Sequence, residues 1–288
     1  MSLLSEVRES RELIRNLTAR EVKGKYKSTV LGQLWSLVNP LATMLVYTLV
    51  FGVFLGIEAP KDPRSGQNTF AIFLMCALLP WSFFTNVVNG GMNSLVGNDN
   101  LIKKVYFPRW ALLVSMTLAA LRQWLTEMGL LTLAVLAIGL YKGVGVLALP
   151  WLPVVVLAMV VLAVFALGVA LALSIANVYF RDTQHFVSIA LQIWFYLTPI
   201  LYQVTKVTDQ LDKRVSAGSL SPSVASAVRH VYEANPMYSF SEVFRSLMYH
   251  NRMPGLLVTL ECLAWATVSI LFGGWVFRRH QARLVEVL

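Results

Sequence analysis

Apolar residues recur in this chain in stretches long enough to cross a bilayer, and this recurrence restricts its fold more than any other feature. A spanning helix needs about 20 mostly apolar residues. Six stretches meet or approach that length: Leu34 to Ile57, Thr69 to Val88, Trp110 to Leu140, Leu149 to Phe180, Phe186 to Tyr202 and Pro254 to Phe277. The third and fourth exceed it and must tilt or project into water. Only 14% of the 288 residues are charged and 57% are hydrophobic, whereas a soluble domain carries roughly 25% charged residues. No compact soluble core of this length could hide that much apolar surface. Disordered, collagen-like and secreted disulfide-stapled classes are excluded on the same grounds. Cys76 and Cys262 both fall inside apolar runs, where thiols act as small hydrophobes. The expected fold is all-α: a polytopic membrane protein with about six transmembrane helices.

Charge placement orients the spans. Arg8, Arg11, Arg15, Arg20, Lys23, Lys25 and Lys27 precede the first run, and Lys103, Lys104 and Arg109 lie between the second and third. Arg181 lies between the fourth and fifth, and Arg278, Arg279 and Arg283 follow the last. With an even number of spans all these residues share one side, which the positive-inside rule makes cytoplasmic, so both termini are expected inside. The net charge of +9 therefore faces headgroups and cytosol, and no nucleic-acid partner is expected. The opposite side carries Lys61, Arg64 and Lys142 in short loops, plus a longer stretch of mixed charge from Gln203 to Met253.

The first twenty residues lack a continuous apolar core, so no signal peptide is expected. Leu3, Leu4, Val7, Leu13, Ile14 and Leu17 instead recur at helical spacing among Arg and Glu. The pattern predicts an amphipathic helix in the cytoplasmic interface; a solvated helix packed on a partner protein has the same periodicity. Residues 1–33 form this segment and 34–288 the membrane domain. Within Gln203 to Met253, the pieces Val224 to Val231 and Met237 to Met248 are too short to cross. They are expected as short re-entrant or interfacial helices before the last span, with a plain external loop as the alternative.

The chemistry that is missing narrows the function. Gly24-Lys25 is followed by Tyr26, so the chain has no Walker A phosphate cradle. His185, His230, His250 and His280 are scattered without metal-ligand spacing, and no metal site or bound cofactor is expected. Intramembrane charges are few: Arg122 and Glu127 in the third run and Glu261 in the sixth. Such groups are costly and normally face a bundle interior or water. Arg122 and Glu127 point apart around a helix, so Glu261 is expected to face a polar neighbour, with Arg122 one option. Aromatics concentrate near Trp35, Tyr47, Phe51, Phe54, Trp81, Phe84, Trp194 and Tyr196. Their faces can stack on sugar rings without trapping them; interfacial anchoring and helix packing are the alternative uses.

Several segments resemble stations of one family in the same order. They are Arg20-Glu21-Val22-Lys23-Gly24-Lys25-Tyr26-Lys27-Ser28-Thr29-Val30-Leu31-Gly32 with Trp35 and Pro40, then Leu79-Pro80-Trp81-Ser82-Phe83-Phe84 and Asn100-Leu101-Ile102-Lys103-Lys104-Val105-Tyr106-Phe107-Pro108-Arg109. Asn177-Val178-Tyr179-Phe180-Arg181-Asp182, Leu197-Thr198-Pro199-Ile200 and Asn235-Pro236-Met237-Tyr238 with Phe240 and Phe244-Arg245 follow. Together they resemble type-2 ABC exporter permeases for polysaccharides, from about Arg20 to Arg245. Gly24 stands where that family commonly has a side chain, and Thr205 to Ser226 matches only loosely.

The resemblance implies that residues 34–288 are an ABC type-2 transmembrane domain in the bacterial plasma membrane. It implies a second copy of the chain and two separate ATP-binding cassette subunits as partners, with ATP and Mg bound there. The cargo would be a lipid-linked polysaccharide such as an O-antigen, teichoic acid or galactan. By the same resemblance, the Asn98 to Pro108 segment, with Asn100, Lys103, Lys104, Tyr106 and Arg109, would be a coupling helix to the ATPase. The Arg181-Asp182 turn would be a second contact, and the first and fifth spans would line the passage. Two other classes remain open. An ion-coupled secondary transporter would use Glu127 and Glu261 as proton or cation sites. An intramembrane enzyme on lipid-linked sugars would need convergent acid, base or metal groups.

Overall fold

The computed structural model describes residues 11–25, 29–30, 32–62, 66, 68–105, 107–142 and 147–284. Among them every regular element is helical, as hydropathy demands. Helix α1 covers Arg11–Lys25; α2 runs from Trp35–Tyr47 and continues in π geometry over Thr48–Phe54. Then come α3 (Phe70–Val96), α4 (Asp99–Lys104), α5 (Trp110–Tyr141) and α6 (Leu152–Tyr179). They are followed by α7 (Thr183–Leu197), α8 (Val204–Ser216), α9 (Pro222–Glu233), α10 (Pro236–Met248) and α11 (Leu256–His280).

Five of these helical segments, among the described residues, are long and apolar enough to cross a membrane: Leu37–Phe54, Phe70–Val96, Trp110–Tyr141, Leu149–Tyr179 and Leu256–His280. The Phe186 to Tyr202 run, expected as a further span, folds instead as the 15-residue α7. At about 1.5 Å per residue it is about 22 Å long, short of the hydrocarbon thickness of about 30 Å. Pro199 explains the stop. It forces its predecessor Thr198 into extended backbone, so the helix ends at Leu197 and does not continue to Tyr202.

Helix α3 is the central post, with α6, α5 and α10 packed around it and α11 on the far side of α6. Tight helix crossings in lipid depend on small side chains, and two places show this. A Cβ on Gly273 would sit 1.9 Å from the Gly168 carbonyl oxygen, and one on Gly168 would sit 2.3 Å from the Ser269 backbone. The α6 and α11 backbones therefore touch. At Gly91 of α3, the methyl of Ala170 on α6 plays the corresponding part, 2.6 Å from where a Cβ would be.

Helix α1 lies along α5 and buries Ile14 and Leu17, so its apolar stripe meets this chain's own bundle. Leu3, Leu4 and Val7 of the same expected stripe lie outside the described residues. Helices α9 and α10 begin where sequence chemistry dictates. Ser221 caps α9 by accepting from the Val224 N–H, Asn235 caps α10 by accepting from the Met237 N–H at 3.0 Å, and each is followed by a proline at the first helical position. Met237, Phe240, Phe244, Leu247 and Met248 bury α10 against α3, α6 and α11. The Met237 to Met248 piece is thus a short helix folded back into the bundle, not a plain loop.

Candidate functional site

Long-range hydrogen bonds gather the basic segments at one end of the bundle. Asn98, which precedes α4, accepts from Arg20 of α1 at 2.6 Å and donates to the Ser94 carbonyl at 2.8 Å. Arg109 donates to the Gln281 carbonyl beyond α11, and Asn177 at the foot of α6 donates to the Met92 carbonyl of α3 at 2.9 Å. The opposite end is closed by a separate set. Lys142 reaches the Gly66 carbonyl and Asn68 at 3.0 Å each, Tyr249 donates to the Pro60 carbonyl at 2.6 Å, and His250 meets Asp62 at 3.1 Å.

At the basic end, α4 is anchored by buried Ile102 while Asn100, Lys103, Lys104 and Val105 stay exposed. Lys103 pairs with Asp99 at 3.7 Å across an exposed helical turn, an ion pair worth little. The Asn177 bond brings the α6–α7 turn to the same end, where Phe180, Arg181 and Asp182 are exposed. Two surfaces distant in sequence thus present protruding apolar and charged side chains at one end. Arg109 is half-buried and donates to the Gln281 carbonyl, which ties the end of α11 to this end of the bundle. Tyr106 lies outside the described residues.

Burial divides the aromatic residues into two groups. Phe84 is fully buried, stacked on Phe165 at 5.3 Å and edge-on to Trp194 at 5.4 Å. Trp81 is also buried, edge-on to Trp194 and Phe195. These two hold α3 to α6 and α7 in this conformation and present no sugar platform. Trp35, Phe54 and Tyr196 are exposed, and Tyr47, Phe51 and Trp194 are half-buried. Tyr47 sits against Phe51 and Phe195, which places α2 beside α7.

The intramembrane charges also separate. Glu127 is buried and accepts from Gln123 one turn earlier at 2.8 Å. Glu261 takes its hydrogen bond from Ser239 of α10 at 2.7 Å, so its polar neighbour is a hydroxyl and not Arg122. Arg122 instead opens into a cavity beside α1.

Two further residues, Asn235 and Arg245, join segments that are distant in the sequence. Asn235 accepts from the Trp194 indole N–H at 2.8 Å and donates to the Thr198 hydroxyl at 3.0 Å while capping α10. The Leu197-Thr198-Pro199 and Asn235-Pro236 segments therefore meet in one polar knot that ties the end of α7 to the start of α10. Arg245 is 1% exposed, donates to the Ile200 carbonyl at 2.9 Å and to Glu242 at 3.4 Å, and lies 3.9 Å over the Phe73 ring. Its sequence signal was an arginine within the apolar Met237 to Met248 piece. Nearby, burial and the hydrogen bond to the Tyr232 hydroxyl push the Tyr202 phenol up from its ordinary value.

A bundle of apolar helices, with a short helix folded back into one end and exposed basic segments at the other, defines a multi-pass membrane protein. Residues 12–212 match the family of ABC-2 type transporters, and the chain belongs to that family. Among its relatives is an O-antigen export system permease protein, RfbA, of Myxococcus xanthus, 32% identical over 93% of this chain and 94% of the relative. A Klebsiella pneumoniae protein of the same name is 26% identical over 96% and 95%. The polysialic acid transport protein KpsM of Escherichia coli is 26% identical over a shorter part, 30% of this chain and 31% of that one.

Proposed function

We propose that this chain is the permease half of an ATP-driven exporter that moves a lipid-linked polysaccharide outward across the bacterial plasma membrane. The supporting observation is similarity along nearly its whole length to permeases named for O-antigen export. In this reading two copies face each other across the passage, and the basic end lies in the cytosol with both termini. Each copy docks one ATP-binding subunit through Asn100, Lys103 and Lys104 of α4 and through Arg181 and Asp182. ATP and Mg bind on that subunit.

The geometry supports the division of labour. Export requires nucleotide state to bias two arrangements of the helices, and a ligand shifts only what it binds differentially. Helix α4 follows α3 after Gly97 and Asn98, and the exposed turn follows α6 directly. A push on either surface therefore enters the two most central helices. The exposed aromatics of α2 and α7, Trp35, Phe54 and Tyr196, with half-buried Tyr47, Phe51 and Trp194, form the sugar-facing wall in this reading. Trp81 and Phe84 back it.

The test is reconstitution of the chain with its ATP-binding subunit in vesicles loaded with lipid-linked glycan. ATP-dependent translocation, abolished by a hydrolysis-dead ATPase, is the expected result. Charge reversal of Lys103 and Lys104 should lower transport and stimulated hydrolysis together while membrane insertion is unchanged. Translocation by the chain alone under an ion gradient would overturn the reading in favour of a secondary transporter.

A further inference from the structure

The two proposed docking surfaces are far apart in sequence, one ending with α4 and the other following α6, yet two consecutive residues at the end of α11 reach toward both. Tyr179 is the last residue of α6 and stands directly before the exposed Phe180, Arg181 and Asp182. Its ring lies edge-on to that of His280, the last residue of α11, with the centroids 5.9 Å apart. The next residue, Gln281, offers its carbonyl to Arg109, which directly precedes α5 and follows α4 after a short connection. A guanidinium on the carbonyl that closes a helix makes a charge-assisted hydrogen bond, and the helix dipole favours it further.

Both contacts are supported from behind. His280 Nδ1 hydrogen-bonds with the Val276 carbonyl one turn earlier at 2.9 Å. Phe277 and Leu284 are buried, so the end of α11 and the single turn Gln281–Arg283 after it pack on the bundle. About 10 Å further up α11, the backbones of α6 and α11 already touch at Gly168 and Gly273. Tyr179 and His280 thus form a second junction between the same two helices, at the level of the basic end. Coupling between separated surfaces travels through such contiguous contacts.

We propose that the His280–Gln281 step is a crossbar that makes the two ATPase-docking surfaces of one copy shift together, with Tyr179 and Arg109 as its positioning residues. The proposal rests on the export reading and adds to it: nucleotide state moves both surfaces at once, and neither follows the ATPase while the other stays behind.

A link made of two contacts in series has a signature, because breaking either one disconnects the surfaces and breaking both does little more. The readout is the ratio of glycan translocated to ATP hydrolysed in vesicles holding the chain with its ATP-binding subunit. Arg109→Met and Tyr179→Ala should each lower that ratio about fivefold, with hydrolysis within about twofold of wild type and the melting temperature unchanged. The double variant should fall no more than about twofold below either single one. Arg109→Lys keeps a cationic donor and Tyr179→Phe keeps the ring, so both should stay within about twofold of the wild-type ratio. A double variant near the product of the two effects, about 25-fold, would mean two independent structural contacts and overturn the crossbar, as would a melting temperature that falls with transport. If these variants fail to fold, spin labels on Val105→Cys or Gln184→Cys, exposed beside the two surfaces, decide the matter, since the native Cys76 and Cys262 are buried. ATP should change the distance between the two copies at both positions, and a change at one alone or at neither overturns the proposal. Wild-type vesicles that translocate nothing with ATP would sink the export reading and the crossbar with it. Normal export by the wild type beside unaffected variants would sink the crossbar alone.

Discussion

Helices α2 and α3 are adjacent in sequence and almost equally apolar, yet they are used in opposite ways. Of the most hydropathic stretch of α3, 78% is buried inside the chain; of the corresponding stretch of α2, none is. Helix α7 resembles α2, with Leu191 its one buried side chain. The scaffold of α3, α6 and α11 is closed by backbone contact and aromatic stacking, whereas α2 and α7 lie against it with their surfaces uncovered. Apolarity alone therefore does not tell which helices hold the fold and which keep their surfaces uncovered.

Substitutions can sharpen or break this contrast. The largest effect is expected at the α6–α11 seam: Gly273→Leu must push two backbones apart and should cost about 3 kcal/mol or more. Gly274→Leu, whose Cβ would meet nothing within 4 Å, should be nearly silent. Size-exclusion profiles and thermal melts of the pair check this, and equal behaviour would refute the close seam. Next is Arg245→Met, which strips the Ile200 carbonyl of its donor and Glu242 of its partner. Loss of about 3 kcal/mol is expected, read as a lowered melting temperature. Asn235→Ala should cost about 2 kcal/mol, since one side chain supplies a cap, an acceptor and a donor; protease accessibility between α7 and α10 should rise with it. Smallest for stability are Phe54→Ala and Tyr196→Ala, expected within about 0.5 kcal/mol of wild type while lowering glycan transport in reconstituted vesicles. A marked stability loss in either would mean that α2 or α7 belongs to the scaffold after all.

Much of the architecture could be read from the sequence because length and hydropathy determine what can cross a bilayer. The Phe186 to Tyr202 run outlasts its helix, since apolar content continues past Thr198 while Pro199 and the tie to Asn235 end α7. Helix α10 does not declare itself, because a thirteen-residue amphipathic piece reads alike as re-entrant segment and as loop. The site was less legible. Burial in lipid and burial in protein select the same side chains, so periodicity could not separate Phe84 and Trp81 from Phe54 and Tyr196. The partner of Glu261 was equally hidden, because Ser239 carries no charge to advertise itself. Asn98, Asn177 and Asn235, small amides that link distant segments, became meaningful only through the atoms they reach.

Where the Gly168 and Gly273 backbones meet, α6 and α11 have no compressible layer of side chains between them. Such a joint transmits force without yielding, so the two helices travel as a single strut. A displacement of the turn after α6 would therefore carry α11 along with it, over the whole length of the seam.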